Sequence, residues 1–415
     1  MSKKNIWKFS NTALILMLVS LMLFIGCSSD GGDSDFDIYG GKLVSSTLVK
    51  SFTAQEVNTV LEQYYVPTGY DVTDLLNSST DVDAYAIEYY TANIDGQLIV
   101  VSGLVAIPSP ANGAYPVVQY HHATQFNNAD VPSNPDRSDE AKVNIALFAA
   151  HGYVTSLPDY IGQGKSKVKH PYLYKPSEAV CNADMLKAVK EFSSKLNVSL
   201  SGKAFITGLS EGGHATLAVQ EYLETSNFEQ VFTLTASAPI GGPYDLQTIW
   251  NLWNESSPPK ISMPIAAHTI LTYRYIYDEF NDPLDYIFLP PYDATIEEID
   301  DGTHNANEMC EMLPKTIAEF VQPAFITAVD AKNHPFYDEM ILNDPYNFAP
   351  ITPTRLYHAK SDAIAPYSGA EIAYDKMSSL GAYDLELIDL GSNLAHDQSI
   401  FPGTLLALRW FDTLK

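Results

Sequence analysis

Cysteine is scarce in this 415-residue sequence, with three in all, Cys27, Cys181 and Cys310, and so few exclude a scaffold held together by disulfides. Positive charge is also short: 24 Lys and Arg stand against 50 Asp and Glu, a formal net charge of -26. Such a surface repels phosphate backbones and anionic headgroups alike, so no nucleic-acid partner is expected. Metal-ligand spacing is absent as well. His121 and His122 are adjacent, so on a strand they would point to opposite faces, and neither a metal nor another cofactor is expected. The stretch Asp159-Tyr-Ile-Gly-Gln-Gly-Lys-Ser166 ends as a phosphate-cradling loop does, but it lacks that loop's first glycine. Asp159 fills the position, where its carboxylate would repel phosphates and its bulk would block close backbone approach. Internal repeats are missing too, and the one long apolar run, Ala13 to Ile25, has too few residues for a comfortable membrane span.

That run follows Lys3, Lys4 and Lys8, which is the build of a bacterial secretory signal. It ends at Phe24-Ile25-Gly26-Cys27, which resembles the lipobox of bacterial lipoproteins, where the signal is cut before a Cys that becomes lipid-modified. The expectation is therefore a signal peptide over residues 1-26 and a lipid on Cys27 that holds an exported protein at a membrane of the bacterial cell envelope. The alternative is an ordinary signal with an incidental Cys. Residues 27-42 open with a polar, acidic, glycine-rich stretch that cannot bury apolar surface and reads as a flexible tether. Removing residues 1-26 takes away three lysines and no acid, so the formal charge moves from -26 to -29. Cys181 and Cys310 remain for the folded part, as one disulfide or two separate buried thiols, and spacing alone does not decide.

Thr53-Ala-Gln-Glu56 is a capping box that opens a helix. Two β-rich runs between residues 84 and 108 meet around Asp95-Gly96, a hairpin signal because both residues tolerate positive φ. Short apolar strands then alternate with helical segments, the signature of an α/β fold with a mostly parallel sheet covered on both faces. Strands are expected at 115-121, 153-158, 203-208, 232-238, 354-359 and 385-390. Helices are expected at roughly 138-151, 177-196, 212-224, 368-380 and 401-413. Residues 43-415 would form one domain, with the Pro- and Tyr-rich segment 243-350 inserted as a mainly helical cap; a helical elaboration of the sheet edge is the alternative.

The strand at 203-208 runs into Gly208-Leu-Ser210-Glu-Gly212, followed by a helix. A tight strand-to-helix turn of this form lifts a serine hydroxyl above the sheet, and side chains at the flanking glycines would collide with neighbouring backbone. A serine needs a base to take its proton, and that base must be a histidine held in the right tautomer by a carboxylate. Asp362 lies in the loop after the strand at 354-359, and His396 in the loop after the strand at 385-390, in the chain order serine, acid, histidine. Asp397 is badly placed to orient its neighbour, Asp389 lies within a strand, and His214 belongs to the helix after the turn, where it packs or caps. Negative charge developing on a substrate carbonyl would need two backbone donors. One should be the N-H of Glu211, and the other should come from Ala123 or Thr124, with Thr124 favoured.

Taken in order, the motifs Tyr120-His-His-Ala-Thr124, Gly152-Tyr153 followed by Asp159-Tyr-Ile-Gly-Gln-Gly164, His170-Pro-Tyr172 and Gly208-Leu-Ser-Glu-Gly-Gly-His-Ala215 resemble those of α/β-hydrolases of the secretory-lipase type. The resemblance runs from about residue 50 to the C-terminus. It implies a serine esterase or lipase that passes through an acyl-enzyme, and it makes residues 159-166 the loop after the fourth expected strand. Two departures stand out: Ala123 replaces a glycine, and Glu211 replaces a glutamine, so that a carboxylate must point away from the oxyanion or be paired. The aromatic segment around residues 272-292 would supply an apolar acyl pocket or plain core packing. The expected partner is a small-molecule or lipid ester. A peptidase, an acyltransferase and a binding protein on the same scaffold are the other readings. Replacing Cys27 by Ser should release the protein from the membrane fraction of a bacterial host, as followed by fractionation and blotting; membrane retention unchanged in Cys27→Ser would rule out the lipid anchor.

Overall fold

The computed structural model describes residues 39-415, so Cys27 and the expected signal segment lie outside the described residues. Among the described residues nine strands form one sheet: β1 (Leu43–Phe52), β2 (Asp81–Ala92), β3 (Leu98–Ser109), β4 (Ala114–His121), β5 (Val154–Pro158), β6 (Ser199–Leu209), β7 (Thr233–Ile240), β8 (Thr354–His358) and β9 (Leu385–Asp389). Their spatial order is 1-2-3-5-4-6-7-8-9. The β1, β2, β3 and β5 pairings are antiparallel, and β5, β4, β6, β7, β8 and β9 run parallel. The expected hairpin is the β2-β3 pair, turning through Gly96 at φ +76.

Around the sheet lie α1 (Ala54–Tyr65), α2 (Asp139–Phe148), α3 (Lys175–Lys195) and α4 (Glu211–Thr225). Between β7 and β8 come α5 (Leu246–Trp253), α6 (Ser262–Ile276), α7 (Leu284–Ile287), α8 (Tyr292–Ile299), α9 (Ala306–Met312), α10 (Pro323–Asp330) and α11 (Pro335–Asn343), and the chain closes with α12 (Tyr367–Leu380) and α13 (Ile400–Asp412). Thr53 and Glu56 form the expected capping box at α1. Successive residues of a strand point to opposite faces, and β6 divides its side chains that way. Phe205 and Leu209 join the core under α1, α2 and α13, while Ala204 and Ile206 join the core under α3 and α4.

β1 has no counterpart in the sequence reading. It is an edge strand paired only with β2, and only its end residues Leu43 and Phe52 are buried while Val44, Leu48 and Val49 face solvent. Without a buried face there is no alternation to detect. The last residues of the expected tether already join the sheet, Gly41 donating its N-H to Tyr90 O at 2.8 Å.

The segment between β7 and β8 has an aromatic core of its own, in which Trp250, Phe280, Phe325 and Phe336 are buried together. Its two connections to the sheet meet at one point. The Tyr346 hydroxyl lies 2.8 Å from Asp245 Oδ2 and 3.0 Å from Asp344 Oδ2, and Asp344 Oδ1 accepts the Leu246 N-H at 2.9 Å. Burial pushes the Asp344 carboxyl up to about 7; the Leu246 N-H opposes the rise and the Asp245 charge adds to it. A carboxyl that keeps its proton in the folded state but not in the unfolded one supports the fold at low pH and withdraws that support as pH rises through its folded value. Asp344→Asn should therefore flatten the fall in stability toward pH 8 and be more stable there than the parent by on the order of 2 kcal/mol, read from urea midpoints. A variant weaker than the parent at pH 8 would mean that the ionised carboxylate is a net support.

Candidate active site

β6 ends at Leu209 and α4 begins at Glu211, so a single residue makes the turn between them. Ser210 makes it at φ +58 and ψ -119, a conformation L-residues avoid unless their surroundings impose it. Its N-H donates to Ile240 O at the end of β7 (2.9 Å), and its carbonyl accepts from Gly213 (2.8 Å) and His214 (3.1 Å). The neighbours press close: a Cβ on Gly208 would sit 2.5 Å from Gly212 O, and one on Gly212 would collide with His121 O.

Asp362 stands in the loop after β8. Its Oδ1 accepts the N-H groups of Ile364 and Ala365, each at 2.9 Å, and its Oδ2 lies 2.7 Å from His396 Nδ1. The proton therefore sits on Nδ1, because a carboxylate can only accept. His396 Nε2 is buried and has no partner among the described residues, so it is available to a proton from elsewhere. Burial alone would raise the Asp362 carboxyl, but the His396 hydrogen bond and charge, His358 at 3.6 Å and the Ala365 N-H outweigh it and hold the group below the usual carboxylate range. The competitors lie elsewhere. Asp389 pairs with Lys360 at 3.2 Å, and His214 is locked between Glu178 (2.6 Å) and the Asn343 carbonyl (2.9 Å).

The N-H of Glu211 heads α4 and has no partner within the helix. Of the two candidates in the loop after β4, Ala123 is corrected: its N-H donates to Glu140 Oε1 at 3.0 Å and is not free. The Thr124 N-H has no acceptor among the described residues, and the Thr124 hydroxyl is held by the Tyr172 hydroxyl at 2.9 Å. The Glu211 carboxylate is paired, with Oε1 2.8 Å from His170 Nε2. Glu140, His170 and Glu178 had no assigned roles in the sequence reading. The His170-Pro-Tyr172 motif was the available signal for one of them, whereas Glu140 and Glu178 are ordinary acids in helices.

A presumed hydrolase of Legionella pneumophila superposes with a TM-score of 0.82 at 28% identity, over 90% of this chain and 98% of that one. The rice cell wall degrading esterase LipA of Xanthomonas oryzae gives 0.79 at 27%, over 90% and 98%. The chain is an α/β-hydrolase. Candida antarctica lipase A in its closed state shares the fold, with a TM-score of 0.67 at 13% identity over 92% of this chain and 84% of that one. No protein-family model and no curated protein matches the sequence.

In this hydrolase two recesses are lined by residues next to the site, though neither is lined by Ser210 itself. One, of about 490 Å³, lies between Leu252, Pro258 and Asp362; the other, of about 360 Å³, lies between His170 and the α6 residues His268 and Leu271. Many of the aromatics expected near an acyl pocket serve the inserted segment itself: Tyr273, Phe280 and Phe288 are buried in its core, and the Tyr273 hydroxyl donates to Leu173 O. Residues 159-166 follow β5, the fifth strand once β1 is counted, and Asp159 is buried there, accepting from the Ser102 hydroxyl at 2.6 Å and the Ser133 N-H at 2.8 Å. Cys181 and Cys310 are separate thiols, and burial pushes Cys181 up to about 12, which leaves it unreactive. No group of three or more metal-ligating side chains occurs among the described residues. Gly212→Ala should cost at least about 2 kcal/mol, because the colliding atom is backbone and cannot swing aside. An unchanged melting temperature would contradict that tight approach.

Proposed function

We propose that this hydrolase cleaves carboxylic esters through Ser210, His396 and Asp362 by way of an acyl-enzyme. The observation that carries the reading is the His396-Asp362 pair, which fixes the Nδ1 proton and leaves Nε2 buried and unpartnered, in a fold where Ser210 heads α4 in a strained turn. The esterase and lipase among the structural neighbours support ester chemistry in general.

In the first half-reaction the Ser210 Oγ attacks the ester carbonyl carbon while Nε2 takes its proton. Asp362 stabilises the imidazolium that forms. The carbonyl oxygen becomes an oxyanion, met by the free N-H groups of Glu211 and Thr124, each such donor being worth roughly a hundred- to a thousandfold in rate. As the tetrahedral centre collapses, Nε2 returns the proton to the departing alkoxide, the alcohol leaves and an acyl-serine remains. Water repeats the sequence, giving up a proton to Nε2 and releasing the acid. No hydrogen bond joins Nε2 to Ser210 Oγ in the free protein, and such contacts commonly close only on binding substrate. We further propose that the enzyme is exported and held at a membrane by a lipid on Cys27.

Hydrolysis of p-nitrophenyl esters from acetyl to palmitoyl tests this on the chain from Ser28 onward. Ser210→Ala should lose at least about 10⁴-fold in kcat, and Asp362→Asn roughly 10³- to 10⁴-fold through the wrong His396 tautomer. Folded wild type no more active than Ser210→Ala on every ester would sink the reading.

A further inference from the structure

The turn carries an acid where an acid is costly. Glu211 contributes the N-H proposed to meet the oxyanion, yet its carboxylate is fully buried next to the nucleophile. A bare negative charge there would oppose the charge that develops on the substrate oxygen. His170 meets it from the loop between β5 and α3. Nε2 lies 2.8 Å from Glu211 Oε1, and Nδ1 lies 2.7 Å from the Ile161 carbonyl oxygen. With Glu211 as a carboxylate both neighbours only accept hydrogen bonds, so both ring nitrogens carry protons and the ring is an imidazolium.

The other charged and titratable groups packed around the pair are engaged elsewhere. Glu178 of α3 is held by His214 at 2.6 Å. Glu140 of α2 accepts from the Tyr120 hydroxyl at 2.6 Å and from the Ala123 N-H. His268 of α6 stacks on His170 at 5.8 Å but gives its Nδ1 to Asp300. Tyr160, stacked on His170 at 6.0 Å and on His122 at 4.1 Å, donates its hydroxyl to the His122 carbonyl, and Tyr172 bonds Thr124. Lys169 places its ammonium over the Tyr275 ring at 5.6 Å. Glu211 Oε2 has no partner among the described residues, so this carboxylate depends on a single ring for its compensation. Burial works against the His170 charge, but Glu211, the Ile161 carbonyl and Glu178 together hold the proton to a higher pH than an ordinary histidine keeps it.

We propose that His170 is a positioning residue for acyl transfer: its imidazolium neutralises Glu211 behind the oxyanion, and turnover at Ser210 falls when that proton leaves. This rests on the ester reading above. The sign is set by the raised value: below it the pair is neutral overall, and as pH climbs through it Glu211 stands bare, which gives an alkaline limb in kcat. His396 acts in the opposite sense, since it must lose its proton to serve as base.

The test is the pH profile of kcat for wild type, Glu211→Gln, His170→Gln and the double variant on one p-nitrophenyl ester, each scaled to its own plateau. Glu211→Gln should lose the alkaline limb. His170→Gln should lower kcat on the order of tenfold near neutrality with KM little changed, and adding Glu211→Gln should recover most of that loss, which a purely structural role for His170 would not allow. An alkaline limb retained in Glu211→Gln, or a double variant no faster than His170→Gln, overturns the proposal; if His170→Gln does not fold, the Glu211→Gln profile decides it. Histidine-labelled Ser210→Ala, followed by NMR, reads the pair without turnover. The His170 ring should stay charged at pH 7.5, and a neutral ring there overturns the pair even if ester hydrolysis is sound. Conversely, a charged ring in a protein without Ser210-dependent ester turnover counts against the ester reading and not against the pairing.

Discussion

A left-handed backbone angle at Ser210 is the constraint on which the site rests. It is held by three hydrogen bonds, to Ile240, Gly213 and His214, and by the near contact of the start of α4 with the carbonyls at the ends of β4 and β7. That contact dictates bare backbone at Gly208, Gly212 and Gly213. It also starts α4 directly after the serine, so the N-H of Glu211, first in the helix, is left without a partner inside it.

Around this turn the interior holds more acid than an apolar core tolerates unaided. Glu178 and Glu211 are each met by a histidine ring, and Glu140 by a tyrosine hydroxyl and a backbone N-H. Buried ion pairs contribute little net stability when complete and cost several kcal/mol when broken. Their effect here is to fix geometry. His214 ties α4 to α3 and to Asn343 at the end of α11, so the helix that carries the nucleophile's neighbour cannot shift without disturbing the inserted segment.

The sheet from β2 onward was legible because strands β2 to β8 carry buried residues and β9 keeps a half-buried apolar run, Leu385, Leu387 and Ile388, while Thr53 and Glu56 mark the start of α1. β1 was not, because an edge strand with solvent on its faces leaves no periodic trace. Ser210, Asp362 and His396 could be named from chain order and loop position, and the structure brings Asp362 and His396 to 2.7 Å. What a sequence does not carry is who satisfies whom. The occupation of the Ala123 N-H by Glu140, 17 residues away, and the pairing of Glu211 with His170, 41 residues away, arise only from the three-dimensional meeting of separate loops. The same limit applies to the aromatics of the inserted segment, where a Tyr that lines a pocket and a Tyr that fills a core look alike in one dimension.

The meeting of Asp245, Asp344 and Tyr346 reaches beyond stability. The inserted segment leaves and rejoins the sheet at one stitched point, yet it is also tied to the machinery beneath it, with Asn343 O 2.9 Å from His214 Nε2 and the Tyr273 hydroxyl bonded to Leu173 O. Lineages sharing the sheet and the nucleophile turn could vary the middle of the roughly hundred residues between those two aspartates, but the catalytic geometry below stays fixed only where the grips on His214 and Leu173 are kept. Substrate range would then diversify by variation within that segment, and the chemistry would be inherited intact.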